Sequence, residues 1–305
     1  MKKILMTGAT GLIGKNIAGK LIARGDKVTI FSRSADKAKK IIPGAAEYVE
    51  WNYNKNDWRI YLEGLDAVIH LAGENVMAKR WDREHKANIL SSRVEPTRAL
   101  VDAIGTASVK PEVFVSASAV GYYGHSELPV NEESEPGKDF LAEVVNAWER
   151  ETMKVDTHSV RRINIRTGIV LDKNEGALAR MVPPFRYYVG GPVGSGSQWF
   201  PWIHIDDVAG IFLHAIDNEN VSGIVNAVST GIVRMNEFCR ILGRVMRRPS
   251  LFKVPPFVLR ILFGEGADVL LTGAHVIPEK TLQSGYQFKY ENAEEALRRI
   301  LDSST

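Results

Sequence analysis

The chain is poor in cysteine. Cys239 is the single thiol among 305 residues. That excludes an internal disulfide, a C-x-x-C redox pair and any multi-cysteine zinc or iron–sulfur centre. A lone thiol fits a reducing compartment, and the expected location is cytoplasmic. Long apolar runs are also missing. No stretch approaches the roughly 20 residues that span a bilayer, and the opening lysines lead at once to Thr7-Gly8 without the apolar core of a signal peptide. No membrane is expected as a partner. Neither sign of charge dominates: 39 basic against 36 acidic residues leave +3, so the overall field does not point to nucleic acid. The basic stretch 79–86 is broken by Asp82 and Glu84 and reads as a solvated helix start. No H-E-x-x-H occurs. His204-Ile205-Asp206-Asp207 reads as a strand-to-helix junction capped by Asp206 or Asp207, opening a helix over 208–216. No metal is expected.

What is present is an ordinary globular composition, 45% hydrophobic and 25% charged. At about 150 residues per domain the length suggests two lobes. The first 170 residues alternate short β-branched runs with helical periodicity. Strands are expected at 4–6, 28–31, 48–51, 66–73, 113–116 and within 163–171. Helices are expected at 12–24, at 83–104 with a possible break at Pro96, and at 140–155. This rhythm predicts a parallel sheet covered on both faces. It breaks after Leu171: a glycine-rich loop covers 190–197, a strand 224–228, a helix 235–246, and short helices follow from 251 onward.

The sharpest motif is Thr7-Gly8-Ala9-Thr10-Gly11-Leu12-Ile13-Gly14, between the first strand and the first helix. In a G-x-x-G-x-x-G turn the first glycine permits a sharp bend and the second a close pyrophosphate. The third lets the helix pack on the strand. Free amides at the helix start then receive phosphate. Strand 28–31 selects the dinucleotide. An acidic residue at its end would hold a ribose 2′-hydroxyl, but the chain reads Phe31-Ser32-Arg33-Ser34. Arg33 can neutralise a 2′-phosphate and Ser32 can donate to it. The expected cofactor is therefore NADP(H).

Three motifs resemble the extended short-chain dehydrogenase/reductase family: the glycine turn, His70-Leu71-Ala72-Gly73, and Ser116-Ala117-Ser118. The chain is also similar to the atypical NAD(P)-dependent epimerase/dehydratase-like "epimerase family" branch with an appended short C-terminal domain. That likeness rests on Leu71-Ala72-Gly73-Glu74-Asn75, on 118–124, and on 190–196 running into 201–207. The resemblance implies an α/β fold, a Rossmann-type doubly wound parallel sheet with a smaller C-terminal substrate lobe. Expected boundaries are 1–175 for the nucleotide-binding domain, its sheet completed by part of 200–230. Mixed substrate-lobe segments take 176–250, and a short helical domain 251–305.

The resemblance further implies that His70, Leu71, Ala72 and Gly73 border the cofactor, that Gly168 and Ile169 meet the nicotinamide amide, and that Ser118 orients a substrate carbonyl. Lys86 and Ser92 are placed to approach cofactor or substrate. The parent family's acid–base pair is Tyr-x-x-x-Lys, one helical turn apart. None of the nine tyrosines has lysine four residues on. Tyr122 or Tyr123, just after the serine strand, are the substitute proton donors, with Glu143 and His204 as further candidates. Arg186, Gln198, Trp199 and Trp202 suit a substrate wall or a junction core equally. Arg166 suits a buried ion pair. The preferred expectation is an NADP(H)-dependent oxidoreductase or epimerase-like enzyme on a small polar substrate, sugar-nucleotide-like compounds among the options. The alternative is a non-catalytic NADP(H)-sensing interaction protein, such as a cell-division regulator. Oligomeric state stays open.

Overall fold

The computed structural model describes residues 1–302. Its first half alternates as β1 (Lys3–Thr7), α1 (Leu12–Ala23), β2 (Lys27–Ser32), α2 (Ala35–Ile41), β3 (Glu47–Glu50), β4 (Ala67–His70), α3 (Arg83–Thr106) and β5 (Val113–Ala119). Then come β6 (Ser126–Val130), α4 (Phe140–Met153), β7 (Arg161–Thr167), β8 (Ile169–Leu171), α5 (Gly176–Arg186), β9 (Trp199–Phe200), β10 (Trp202–His204), α6 (Ile205–Asp217) and β11 (Gly223–Ala227). The remainder is β12 (Val233–Arg234), α7 (Met235–Met246), α8 (Pro256–Phe263), α9 (Asp268–Leu271), β13 (Ala274–Val276), α10 (Glu279–Gln283) and α11 (Ala293–Asp302).

Seven strands form one parallel sheet in the order β11-β7-β5-β4-β1-β2-β3. The order reverses between β1 and β4, and a ligand crevice forms outside the strand ends at such a switch point. Both faces are covered, which is why the central strands are apolar throughout. Ile4, Met6, Ile30 and Ile69 pack with α1 and α6 on one side. Leu5, Phe31, Val68 and Phe114 pack with α3, Trp51 and Trp58 on the other. A separate core built on Phe185, Phe200, Trp202, Phe238 and Leu297 holds the second lobe.

Three expectations are corrected. α3 runs unbroken for 24 residues although Pro96 lies inside it. The neighbouring Thr97 anchors this turn. Its hydroxyl donates within the helix to Arg93 O at 2.6 Å and receives Trp148 Nε1 from α4 at 3.0 Å. Next, the strand expected within 163–171 is two strands split at Gly168. A Cβ there would stand 2.3 Å from Pro201 O, so the chain bends close to that backbone and β8 leaves the main sheet to pair with β10. Third, α6 begins at Ile205, and its cap is His204 rather than an aspartate: Nδ1 accepts Asp206 N–H at 3.0 Å.

The two aspartates do other work. Asp206 pairs with Lys20 at 2.8 Å. Asp207 is fully buried and accepts the amides of Lys289 and Tyr290 at 2.8 and 3.0 Å. It thereby ties the returning C-terminal chain to α6. The short strands β6 and β13 pair with each other far apart in sequence, a contact with no local signal.

Two buried histidines make stability depend on pH. Burial pushes His70 down to about 3 and His204 down to about 4 from 6.5. Both are neutral in the folded chain and protonated in the unfolded chain below pH 6.5. The unfolded state then binds more protons, so stability rises with pH across this window. The urea midpoint is expected to fall as pH drops from 6.5 towards 4. His204→Asn, which keeps a capping oxygen, is expected to give a shallower slope. An unchanged slope would show that His204 does not contribute.

Candidate functional site

The glycine turn at the end of β1 is explained residue by residue. Gly8 has φ +66°, and a Cβ there would lie 2.5 Å from Leu71 C. At Gly14 a Cβ would lie 2.4 Å from Gly8 O and 2.6 Å from Ala9 Cα. Those two glycines are required by the protein's own backbone. Gly11 is different: a Cβ would meet only Gly8 O at 3.4 Å, so its outer face is open. Gly11 is the N-cap of α1, no side chain caps the first turn, and no acidic residue sits in it. The helix start therefore presents amides and positive dipole to an open face, the donor set that a pyrophosphate needs. Thr10 flanks this face, while Leu12 and Ile13 lean partly onto the core.

At the end of β2, Ser32 is half-buried and accepts Ser34 N–H at 3.3 Å. Ser34 caps α2 by accepting Lys37 N–H at 3.3 Å. Arg33 is exposed and makes no ion pair among the described residues. The first carboxylate after the strand, Asp36, lies inside the first turn of α2.

The loop after β4 is held from behind. His70 is fully buried between the hydroxyls of Thr7 at 2.7 Å and Thr97 at 2.9 Å. Its imidazole is thus a brace between strands and helix α3. Ser92 accepts Glu74 N–H at 3.0 Å, and Arg93 donates to Glu74 O and Ile89 O, both at 2.9 Å. Ser92 is therefore a loop support. Lys86 is also committed, to Glu265 at 2.7 Å and to the face of Phe140 at 4.6 Å. Leu71, Ala72 and Gly73 remain as backbone at the crevice, with Gly73 exposed.

Between β5, β7 and α4 lies a closed polar network. Arg166 donates through Nε and Nη2 to both oxygens of Glu149, at 2.9 and 2.8 Å. Ser118 Oγ donates to Glu149 Oε1 at 2.6 Å. The Tyr123 hydroxyl accepts Arg166 Nη1 at 3.0 Å and donates to Asn226 Oδ1 at 2.7 Å. All five side chains are buried. Arg166 is held above its ordinary pKa by Glu149, despite the opposing effect of burial. Burial pushes the Tyr123 phenol up to about 12.

Ser118 thus directs its proton to Glu149, and the Tyr123 hydroxyl is engaged as both donor and acceptor. Tyr122 differs: it is half-buried, and the Arg166 guanidinium lies 3.3 Å from its ring centroid. Its ring also meets the Tyr123 ring edge-on, with centroids 5.3 Å apart. Glu143 is exposed on the first turn of α4.

The amides of Gly168 and Ile169 donate within the fold, to Ala227 O at 3.0 Å and Pro201 O at 2.7 Å. His204 stacks on Tyr290 at 3.9 Å. Trp202 is buried and donates to Gly231 O at 2.9 Å, and Gln198 donates to Leu270 O at 2.8 Å. These are junction groups rather than a substrate wall. Among the described residues no group of three or more His, Cys, Asp or Glu is positioned to hold a metal ion. No helix among them is long and apolar enough to cross a membrane.

Sequence reasoning missed Glu149 and Arg93. The signal for Glu149 was available: it continues the buried face of α4 through Ala142 and Val145. A carboxylate on that face demands a partner. Arg166 stands beside Ser118 in the sheet register.

Comparison with known proteins completes the picture. A family model described as the NAD dependent epimerase/dehydratase family matches residues 4–227, and one for a domain of unknown function, DUF1731, matches 254–300. The chain is 42% identical over 301 residues to the chloroplastic SDR39U1 homologue of Arabidopsis thaliana, covering 98% of this chain and 86% of that protein. It is 37% identical to the bovine (Bos taurus) epimerase family protein SDR39U1, covering 98% and 99%. A crystal structure of human SDR39U1 with NADPH superposes with a TM-score of 0.88 at 34% identity, covering 98% of this chain and 99% of that one. With its glycine turn, its switch-point crevice and these full-length likenesses, the chain belongs to the NAD dependent epimerase/dehydratase family, in company with relatives named SDR39U1.

Proposed function

We propose that the protein is an NADP(H)-dependent oxidoreductase or epimerase-like enzyme acting on a small polar carbonyl or hydroxyl compound. The observation that carries the reading is the open face at Gly11, in a turn whose other two glycines are fixed by backbone contact. The human relative crystallised with NADPH supports the same dinucleotide. In this reading Thr7, Gly8, Thr10, Gly11, Leu12, Ile13 and Gly14 form the pyrophosphate cradle. Ser32 and Arg33 read the 2′-phosphate, and the backbone of Leu71, Ala72 and Gly73 borders the cofactor. When bound, the dinucleotide supplies or accepts a hydride. The chain's own residues must then move one proton. Tyr122 is assigned that proton at its phenolic oxygen, with Arg166 stacked beneath its ring to hold its orientation. Ser118 acts through Glu149 to keep that arrangement in place and is a positioning residue.

A second reading has its own observation. The Ser118–Glu149–Arg166–Tyr123–Asn226 network satisfies itself and offers few free polar hydrogens to a substrate. That favours a protein that binds NADP(H) and signals through a partner.

Two experiments test these readings. The first is titration of cofactor by fluorescence. NADPH is expected to bind more tightly than NADH. Arg33→Asp is expected to weaken NADPH about tenfold or more, the scale of one charge-assisted hydrogen bond, with NADH little changed. Tighter NADH binding by the unaltered chain would overturn the assignment. The second is NADPH oxidation across a panel of carbonyl compounds. Tyr122→Phe is expected to lower turnover by about 10²–10⁴, the range for a lost general acid. Ser118→Ala is expected mainly to lower the unfolding midpoint, with a much smaller effect on rate. Intact cofactor binding with no turnover on any compound would favour the binding-protein reading.

A further inference from the structure

Helix α8 reads Pro-Phe-Val-Leu-Arg-Ile-Leu-Phe, apolar except for Arg260, yet Leu259 is its only buried residue. A helix this rich in apolar side chains normally has most of them enclosed. Here Phe257 is 64% exposed and Ile261 66%. The segment before it adds Leu251 and Phe252, exposed at 75% and 55%. That segment pairs with the start of the glycine-rich loop, through Phe252 N–H to Gly190 O at 3.3 Å and Val254 N–H to Pro192 O at 3.0 Å. The pairing brings exposed Tyr187, Tyr188 and Val189 beside it. The patch is thus continuous across two stretches of chain, larger than the scattered apolar residues of a soluble surface.

Its charge is one-sided. From Phe238 to Gly264 the chain carries six basic residues and no acidic one, and from Gly176 to Ile205 it carries Arg180 and Arg186 and again no acid. Arg244 and Arg260 have carboxylate partners in flanking segments. Arg186, Arg247 and Lys253 stand exposed. Arg248 lies 4.4 Å from the centre of the Tyr188 ring. An isologous contact between two copies would set this basic surface against itself, so a second copy is disfavoured. A protein groove would cover one face of α8, whereas the headgroup boundary of a bilayer can receive protruding side chains on several faces. Basic residues around the rim would meet anionic headgroups while Tyr and Phe sit at the boundary.

We propose that this surface docks the protein reversibly on anionic phospholipid membranes, with α8 and residues 251–252 entering the headgroup boundary. The contact is peripheral, so it is independent of whether any segment spans a bilayer and of the proposed enzymatic reading.

The test is flotation of the full chain with vesicles of phosphatidylcholine, or of phosphatidylglycerol and phosphatidylcholine in equal parts. Flotation is expected only with the anionic vesicles, and it should weaken as salt is raised. Arg186→Gln with Lys253→Gln is expected to weaken partitioning on the order of tenfold. Phe257→Ser with Ile261→Ser is expected to weaken it on the order of a hundredfold. Both variants change exposed side chains, and retained NADPH affinity checks that they fold. Absence of flotation, equal flotation on neutral vesicles, or flotation indifferent to Phe257→Ser with Ile261→Ser would each overturn the proposal. So would capture of a soluble polyglutamate peptide by the patch without vesicle binding, which would point instead to an acidic protein partner.

Discussion

The buried pair Arg166–Glu149 is the interaction on which the rest of the site depends. Two charges withdrawn from water lose several kcal/mol of hydration each, and mutual attraction offsets this only when geometry and remaining hydrogen bonds are good. Both conditions are met here. The guanidinium fork grips both carboxylate oxygens, Ser118 supplies a further donor to the carboxylate, and Tyr123 takes the remaining arm of the arginine. The two aromatic rings of Tyr122 and Tyr123 lie against the cation at 3.3 and 5.1 Å. Removing one member would leave the opposite charge buried and alone, so the residues hold their positions as a set. The parent family's serine is retained within this arrangement, but its proton is directed at Glu149.

The network also joins the lobes. Tyr123 reaches Asn226 on β11, and Asn226 Nδ2 donates to Ile277 O at 2.9 Å beyond β13. Asn226 N–H and Lys280 N–H both donate to Glu132 Oε1, at 2.9 and 3.2 Å. Burial raises the Glu132 carboxyl above its usual range, the sign expected where desolvation outweighs the amides that favour its charge. Thr281 donates to Asn226 O at 2.7 Å. A chain of polar contacts therefore runs from the ion pair under β5 and β7 to α10. Asp207 makes a second, separate tie from α6 to residues 286–290. The later segments are thus held to the main sheet and to α6 by these two polar ties as well as by apolar packing.

Much of the first lobe was legible in the sequence because each signal there is local. Gly8, Gly11 and Gly14 carry the turn in three residues, and period-two and period-four patterns mark the strands and helices around it. The unread parts depend on distant partners. Gly168 looked like a residue within one strand, yet the close approach of Pro201, more than thirty positions on, splits that strand in two. His204 looked like a residue before an aspartate cap, and only three-dimensional geometry shows the ring nitrogen doing the capping. Pro96 predicts a break in isolation. Bonds to Thr97 from α4 and β4 hold the helix through it. The partners of Lys86 and Ser92 were equally illegible, since Glu265 lies 179 positions from Lys86 and the Glu74 N–H that Ser92 accepts lies 18 away.

Averages hid the surface in the same way. A net charge of +3 over the whole chain suggests no electrostatic partner, and it is correct as a sum. Arg166 is neutralised by Glu149 in the interior, and Lys20 by Asp206 where both are half-buried. On the C-terminal lobe Arg244 and Arg260 are paired with Glu294 and Asp268, while Arg186, Arg247 and Lys253 stand exposed. Six cations lie between Phe238 and Gly264 without one intervening carboxylate. At physiological ionic strength a charge is felt over about 8 Å, so a partner at this surface meets the local cations and not the molecular total. The apolar residues among them sharpen the consequence. Phe257 and Ile261 stand in water unless covered, and the surrounding cations decide which kind of cover is electrostatically admissible.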